Sequence, residues 1–284
     1  MDSSGIHLVS GQTQPERTGP PQDGRAFLQF QHVWKAFGSN HVLNDVSFKV
    51  MPQETVCILG RSGVGKSVCL RLLMGFLKPE AGRVIAAYED ITDYPEEELQ
   101  RVRKKVTMVF QNGALFDSLS VFENVAFPLR ERGDVSEEQI GQIVDGLLEI
   151  VRIMPMRELF PPELSTGMKR SVAIARALAA EPEGILYDEP TTMVDPLMAH
   201  YLGDLIKRLN SELKLASIVV THDMRLAEKL AHRAVFLESA RVVFDGTIEE
   251  MERSPEPMVR DFLRLDRIDV RALSPAVEDR RLSR

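Results

Sequence analysis

Cysteine is nearly absent: Cys57 and Cys69 are the only two in 284 residues. No disulfide framework can be built on such a pair, and two buried, reduced thiols are expected, as in a cytoplasmic protein. Also lacking is any run near the roughly 20 apolar residues that a membrane-spanning helix requires. The N-terminus has no apolar h-region of a secretory signal, so a cytoplasmic location is the default expectation. Basic excess is missing too: 35 Lys and Arg stand against 42 Asp and Glu, a net charge of −7. That balance counts against a nucleic-acid partner. The hydrophobic content of 44% and charged content of 27% are those of an ordinary globular chain long enough for a sizeable core.

What is present centres on residues 60–67, GRSGVGKS. Gly60, Arg61, Ser62, Gly63, Val64, Gly65, Lys66 and Ser67 match G-x-x-x-x-G-K-[ST], the phosphate-binding loop. An apolar strand-like run (TVCIL) precedes it and a helix-like run (SVCLRLLM) follows, which is the context the motif needs. Glycines let the backbone turn its N–H groups toward an anion, and the new helix adds its positive end. Lys66 would reach the outer phosphates of a nucleoside triphosphate, and the Ser67 hydroxyl would ligate Mg²⁺.

Residues 1–24 are poor in apolar side chains and are expected to be a disordered tail. Antiparallel strands are expected at 27–37 and 42–50, with Phe37 at the end of the first as either a base-stacking or a core aromatic. Strands are further expected at 83–87, 105–110, 184–189, 217–221, 233–238 and 241–245. Residues 95–104 and 197–213 read as helix, and 111–180 as mainly helix with a capping box at Ser136 and Gln139. Short apolar strands alternating with helices predict an α/β fold, a parallel sheet covered on both faces. Ligands of such a sheet lie at the carboxyl ends of its strands. The loop at 60–67, Gln111, Asp188 with Glu189, and His222 all fall at such ends.

The residue types suit one chemistry. Asp188 and Glu189 end an apolar strand, where two carboxylates are costly unless a cation or a reaction requires them. Asp188 suits a Mg²⁺ ligand and Glu189 a base that polarises water. Gln111 could ligate Mg²⁺ or position water; His222 could contact the γ-phosphate or be structural. Ser165 and Gly167, in LSTGM, open a helix and offer either a second anion site or a simple N-cap. With no second phosphate loop in the chain, a composite site would need a dimer.

The ordered set GRSGVGKS, Gln111, LSTGM, ILYDE, TTMVDP and His222 resembles the ATP-binding cassette (ABC) ATPases over about residues 27–251. The resemblance implies a P-loop NTPase with a RecA-like core (25–110 and 181–254), an antiparallel β subdomain and an α-helical subdomain (111–180), followed by an extension at 255–284. It implies ATP and Mg²⁺ as ligands and hydrolysis coupled to transport. Phe37 then resembles the adenine-stacking aromatic, and Gly60 to Ser67 the first phosphate-binding motif. Gln111 resembles the residue that couples Mg²⁺ to a membrane partner. Ser165 and Gly167 resemble contacts to ATP held by the opposite subunit. Asp188 and Glu189 resemble the metal ligand and the catalytic base, Asp195 the dimer-interface aspartate, and His222 the switch histidine. Thr166 departs from the usual Gly, and its β-branch puts the fit around the γ-phosphate in question. Gln53 also replaces a usual Gly, with little consequence expected.

A narrower resemblance lies in FQNGALFD, SVFENVAFPLR, Met168 and PEPMVRDFL. These are similar to the ATPases of Mla/Mce-type transporters, which move phospholipids or other lipids between bacterial membranes. The implied partners are a second ATPase subunit, an integral membrane permease docked after Gln111, and an Mce-type lipid-binding protein. The implied location is the cytoplasmic face of the inner membrane, held peripherally. Rival readings are a transporter of an amino acid, metal or drug, a soluble ABC protein acting on ribosomes or DNA, and a regulator with a silenced ATPase. The apolar face of Val259, Phe262 and Leu263 is expected to be a dimer contact.

Overall fold

Alternation builds the first layer of the fold. In β1 (Leu28–Phe37) Leu28, Phe30 and Val33 are buried, and in β2 (Asn40–Val50) Leu43, Val46, Phe48 and Val50 are buried. The strands pair antiparallel from Leu28 opposite Val50 to Phe37 opposite Asn40, so Gly38 and Ser39 make the turn. The computed structural model describes residues 24–266. The expected tail at 1–24 and the chain beyond Asp266 therefore lie almost wholly outside the described residues.

Continuous apolar runs form the central sheet. β3 (Thr55–Leu59) leads through the glycine loop into α1 (Lys66–Leu73). β4 (Ala81–Ala86) and the two-residue β5 (Glu89–Asp90) join β1 and β2 in a four-stranded sheet ordered β2-β1-β4-β5. α2 (Glu96–Lys105) runs directly into β6 (Val106–Val109). α3 (Val121–Arg132), α4 (Glu137–Ile150) and α5 (Thr166–Ala179) follow, with two short 3₁₀ turns between the last two. The capping box at α4 forms: Ser136 Oγ accepts from Gln139 N at 3.3 Å and Gln139 Oε1 from Ser136 N at 2.9 Å.

β7 (Gly184–Asp188) and β8 (Ala216–Val220) are buried at every residue and flank α6 (Pro196–Glu212). α7 (Met224–Leu230), β9 (Arg233–Glu238), β10 (Arg241–Gly246), α8 (Ile248–Glu252) and α9 (Pro257–Asp266) complete the described chain. The second sheet is six-stranded, ordered β10-β9-β3-β8-β7-β6, and is parallel from β9 to β6. The expected α/β architecture is thus the observed one. Cys57 on β3 and Cys69 on α1 are free and buried, and burial pushes both thiols up to about 12, which leaves them inert.

One expectation is corrected. Val259, Phe262 and Leu263 are buried against the chain's own core, and the Phe262 ring lies 5.0 Å from that of Phe236 on β9. α9 packs against β9 and α8 and does not hold this apolar face out for a second subunit.

Candidate functional site

Four neighbouring strands, β3, β8, β7 and β6, end side by side. Backbone hydrogen bonds tie their ends: Glu189 N donates to Val220 O at 2.9 Å and Thr221 N to Ile58 O at 3.2 Å. The residues that follow these strands are therefore held in one place, although they come from positions 60, 111, 189 and 222 of the chain.

The loop after β3 depends on backbone that only glycine supplies. Gly60 has φ +146 and a Cβ there would lie 2.3 Å from Leu237 O; Gly65 has φ +105 and its Cβ would lie 2.8 Å from Val42 O. The loop folds back on Lys66, whose Nζ donates to the carbonyls of Gly60 at 2.8 Å and Arg61 at 3.0 Å. Burial lowers the Lys66 pKa, and Glu189, with its Oε1 3.6 Å away, opposes that shift. Held by two carbonyls and one carboxylate at the cavity wall, this buried ammonium is suited to an anion.

Around it lies a cavity of about 460 Å³ lined by Ser62, Gly63, Gly65, Lys66, Ser67, Gln111, Glu189 and His222, together with Val42, Val68 and Thr192. The Ser67 hydroxyl donates to Asp188 Oδ1 at 2.7 Å. Asp188 is 6% exposed, and burial raises its pKa, which the Ser67 hydrogen bond partly offsets. Glu189 is also buried; its Oε2 accepts from Thr192 Oγ1 at 2.9 Å and meets His222 Nδ1 at 2.9 Å. Lys66 stands beside Glu189, and Arg71 and Lys66 both act on Asp188. The oxygen donors of Ser67 and Asp188, side by side, fit a hard divalent cation.

The remaining candidates stand elsewhere. Phe37, at the end of β1, is 48% exposed with Lys35 Nζ 5.4 Å from its ring centre. Ser165 N-caps α5 through Met168 N at 3.3 Å, and Asp195 N-caps α6 through Met198 N at 2.9 Å. Gly167 is buried under the Met198 side chain. Within one chain Ser165, Gly167 and Asp195 do not line the cavity. Thr166 is the first residue of α5, with helical backbone and no positive φ. Gln53 does carry a consequence: its φ is +64, the left-handed region that glycine enters freely. Sequence reasoning passed over Thr192; its only signal was a hydroxyl three residues after the candidate base.

A family model described as "ABC transporter" matches residues 43–192. The chain belongs to the ABC transporter family. As an ABC ATPase it binds ATP with Mg²⁺ and hydrolyses it. It is 40% identical over 227 residues to the intermembrane phospholipid transport system ATP-binding protein MlaF of Haemophilus influenzae, covering 80% of this chain and 86% of that protein. It is 35% identical over 252 residues to the methionine import ATP-binding protein MetN of Campylobacter jejuni, covering 83% and 75%. Among solved structures it resembles the dimeric ATP-binding cassette MJ0796 in a post-hydrolysis state bound to ADP and Pi. The TM-score is 0.72 at 32% identity, over 78% of this chain and 98% of that one.

Proposed function

We propose that the chain is the ATPase subunit of a transporter that moves lipid, phospholipid first among the candidates, through an integral membrane permease. Two copies work as a homodimer at the cytoplasmic face of the inner membrane. ATP bridges Lys66 and Ser67 of one subunit to Ser165 and Gly167 of its partner, with Phe37 against the base and Asp195 at the dimer seam. The observation that carries the mechanism is the separation of the two anion-facing elements: the glycine loop lines the cavity, whereas the N-terminus of α5 does not. A second copy completes the site, as the dimeric cassette structures suggest.

Ser67, Asp188 and Gln111 would hold Mg²⁺, which when bound neutralises charge on the outer phosphate oxygens. Lys66 grips those oxygens. Glu189 takes the proton of a water whose oxygen bonds to the γ-phosphorus, while the bond to the β–γ bridging oxygen breaks and its electron pair leaves with ADP. His222 holds Glu189 in place. ATP favours the closed dimer and ADP does not, so turnover becomes motion of the permease.

The lipid reading is supported by the similarity to the Haemophilus MlaF protein. It implies an Mce-type lipid-binding protein in the same complex and no nucleic-acid partner. The permease surface is supported by Phe116 and Phe127, both above 40% exposed with rings 4.9 Å apart, in the segment after Gln111. Among the described residues no helix is long and apolar enough to cross a membrane, which suits peripheral attachment to a permease. A different cargo is the second reading, because the methionine importer's ATPase is 35% identical. Affinity purification of the tagged chain from solubilised native membranes separates them. A multi-span permease with an Mce-type protein supports lipid transport; a permease with a soluble amino-acid-binding protein supports the second reading.

A further inference from the structure

Thr192 lies in the cavity wall, yet none of the roles above uses it. It follows β7 by four residues, in the turn that Glu189 opens. Glu189 has φ +47, in the left-handed region that non-glycine residues rarely enter. The turn is closed by Thr192 N donating to Glu189 O at 3.3 Å.

The side chains carry the argument further. A carboxylate rotates broadly about its terminal torsion, so its two oxygens are interchangeable unless something distinguishes them. Here Oε2 accepts from Thr192 Oγ1 at 2.9 Å and meets His222 Nδ1 at 2.9 Å. Toward an ionised carboxylate, which only accepts, His222 would donate from Nδ1. Oε1 is left on the Lys66 side, 3.6 Å from Nζ. Glu189 has two hydrogen-bond partners on one oxygen and one ammonium beside the other. Thr192 comes from the same turn as Glu189 and stays with it; His222 follows another strand, and Lys66 has phosphate to turn to.

We infer that Thr192 is a positioning residue that pins Oε2 of Glu189 and so assigns Oε1 as the atom that receives the proton of the attacking water. This rests on the reading of Glu189 as the base. With Thr192 in place, one hydrogen bond orients the carboxylate even when His222 moves. Without it, the carboxylate turns freely and only a fraction of bound ATP faces a base in the productive orientation.

The test compares Thr192→Val, which keeps shape and loses the donor, with Thr192→Ser, which keeps the donor. The wild type and Glu189→Gln serve as references. Thr192→Val is expected to lower kcat about tenfold with KM for ATP within about twofold, and Thr192→Ser to restore turnover to within about threefold. Independently of activity, Thr192→Val with ATP and Mg²⁺ should accumulate the ATP-bound dimer in light scattering, because hydrolysis that would release it is slowed. Should Thr192→Val fail to fold, Thr192→Ala removes the same donor. A Thr192→Val kcat near wild type, a serine variant as slow as the valine one, or a loss confined to KM overturns the role of Thr192. Normal hydrolysis by Glu189→Gln instead overturns the reading of the base itself. The two failures are therefore distinct.

Discussion

Gln53 is an exposed residue with φ +64, immediately before Glu54, whose carboxylate accepts from Met51 N at 2.7 Å. An L-residue in this region costs about 1–2 kcal/mol, partly offset by the backbone entropy that glycine would add to the unfolded chain. Gln53→Gly should therefore stabilise the protein by about 0.5–1 kcal/mol and raise Tm by about 1–4 °C in a thermal melt, with ATPase activity unchanged. Lys66 is the opposite case, a residue whose discomfort serves the site. Its ammonium is buried, its pKa is lowered by that burial, and the loop carbonyls hold it in place of phosphate oxygens. Lys66→Ala should weaken ATP binding at least tenfold in a fluorescence titration while leaving the nucleotide-free fold intact.

At the scale of elements, α9 and the corner between β5 and α2 make separate predictions. Phe262 is buried on β9 and α8 residues of its own chain, so Phe262→Ala should cost about 3 kcal/mol in urea unfolding. The self-association of the folded variant should be unchanged, because that ring packs inside its own chain. Glu89 ties β5 to α2: Arg101 Nη2 lies 2.6 Å from Oε2, Lys105 Nζ 3.5 Å from Oε1, and Tyr94 OH donates at 3.0 Å. Burial raises the Glu89 pKa, but the Tyr94 hydrogen bond and the two cations outweigh it and hold the group below the usual 4.5. A folded pKa below the unfolded one adds stability above the unfolded value, and that stability is lost as pH falls through the folded value. After solvent screening, Glu89→Gln should cost about 0.5 kcal/mol at neutral pH. The difference from wild type should fade below pH 4.5 and shrink with added salt.

At the scale of the whole molecule, the proposed site is divided between subunits. Lys66→Ala and Ser165→Arg should each abolish most turnover alone. Mixed in equal amounts, half of the dimers carry both variants, and each of those keeps one intact site out of two. Activity should recover to about a quarter of wild type in a phosphate-release assay if the sites fire independently. A site complete within one chain would show no recovery.

Much of this was legible in the linear chain. GRSGVGKS announces its own backbone, because glycine spacing before a lysine and a serine has one physical use at a strand-to-helix turn. The buried strands were visible as unbroken apolar runs, and the two carboxylates ending one of them advertised a cation. Local patterning reaches no further than neighbours along the chain. That β3, β8, β7 and β6 lie side by side is decided by sheet topology, which brings residues more than a hundred positions apart into one cavity. The small apolar face of α9 read equally well as a seam to a second subunit, since amphipathicity names a buried face but not what covers it. Gln53 read as harmless because residue type does not report φ. The pinning of Glu189 by Thr192 and His222 was likewise invisible, because hydrogen-bond geometry exists only once the turn and the neighbouring strand are in place. The sequence by itself determined which chemical groups this ATPase carries and which strands would present them. Only the tertiary structure decided which of those groups meet, because contact depends on packing across the sheet and not on order along the chain.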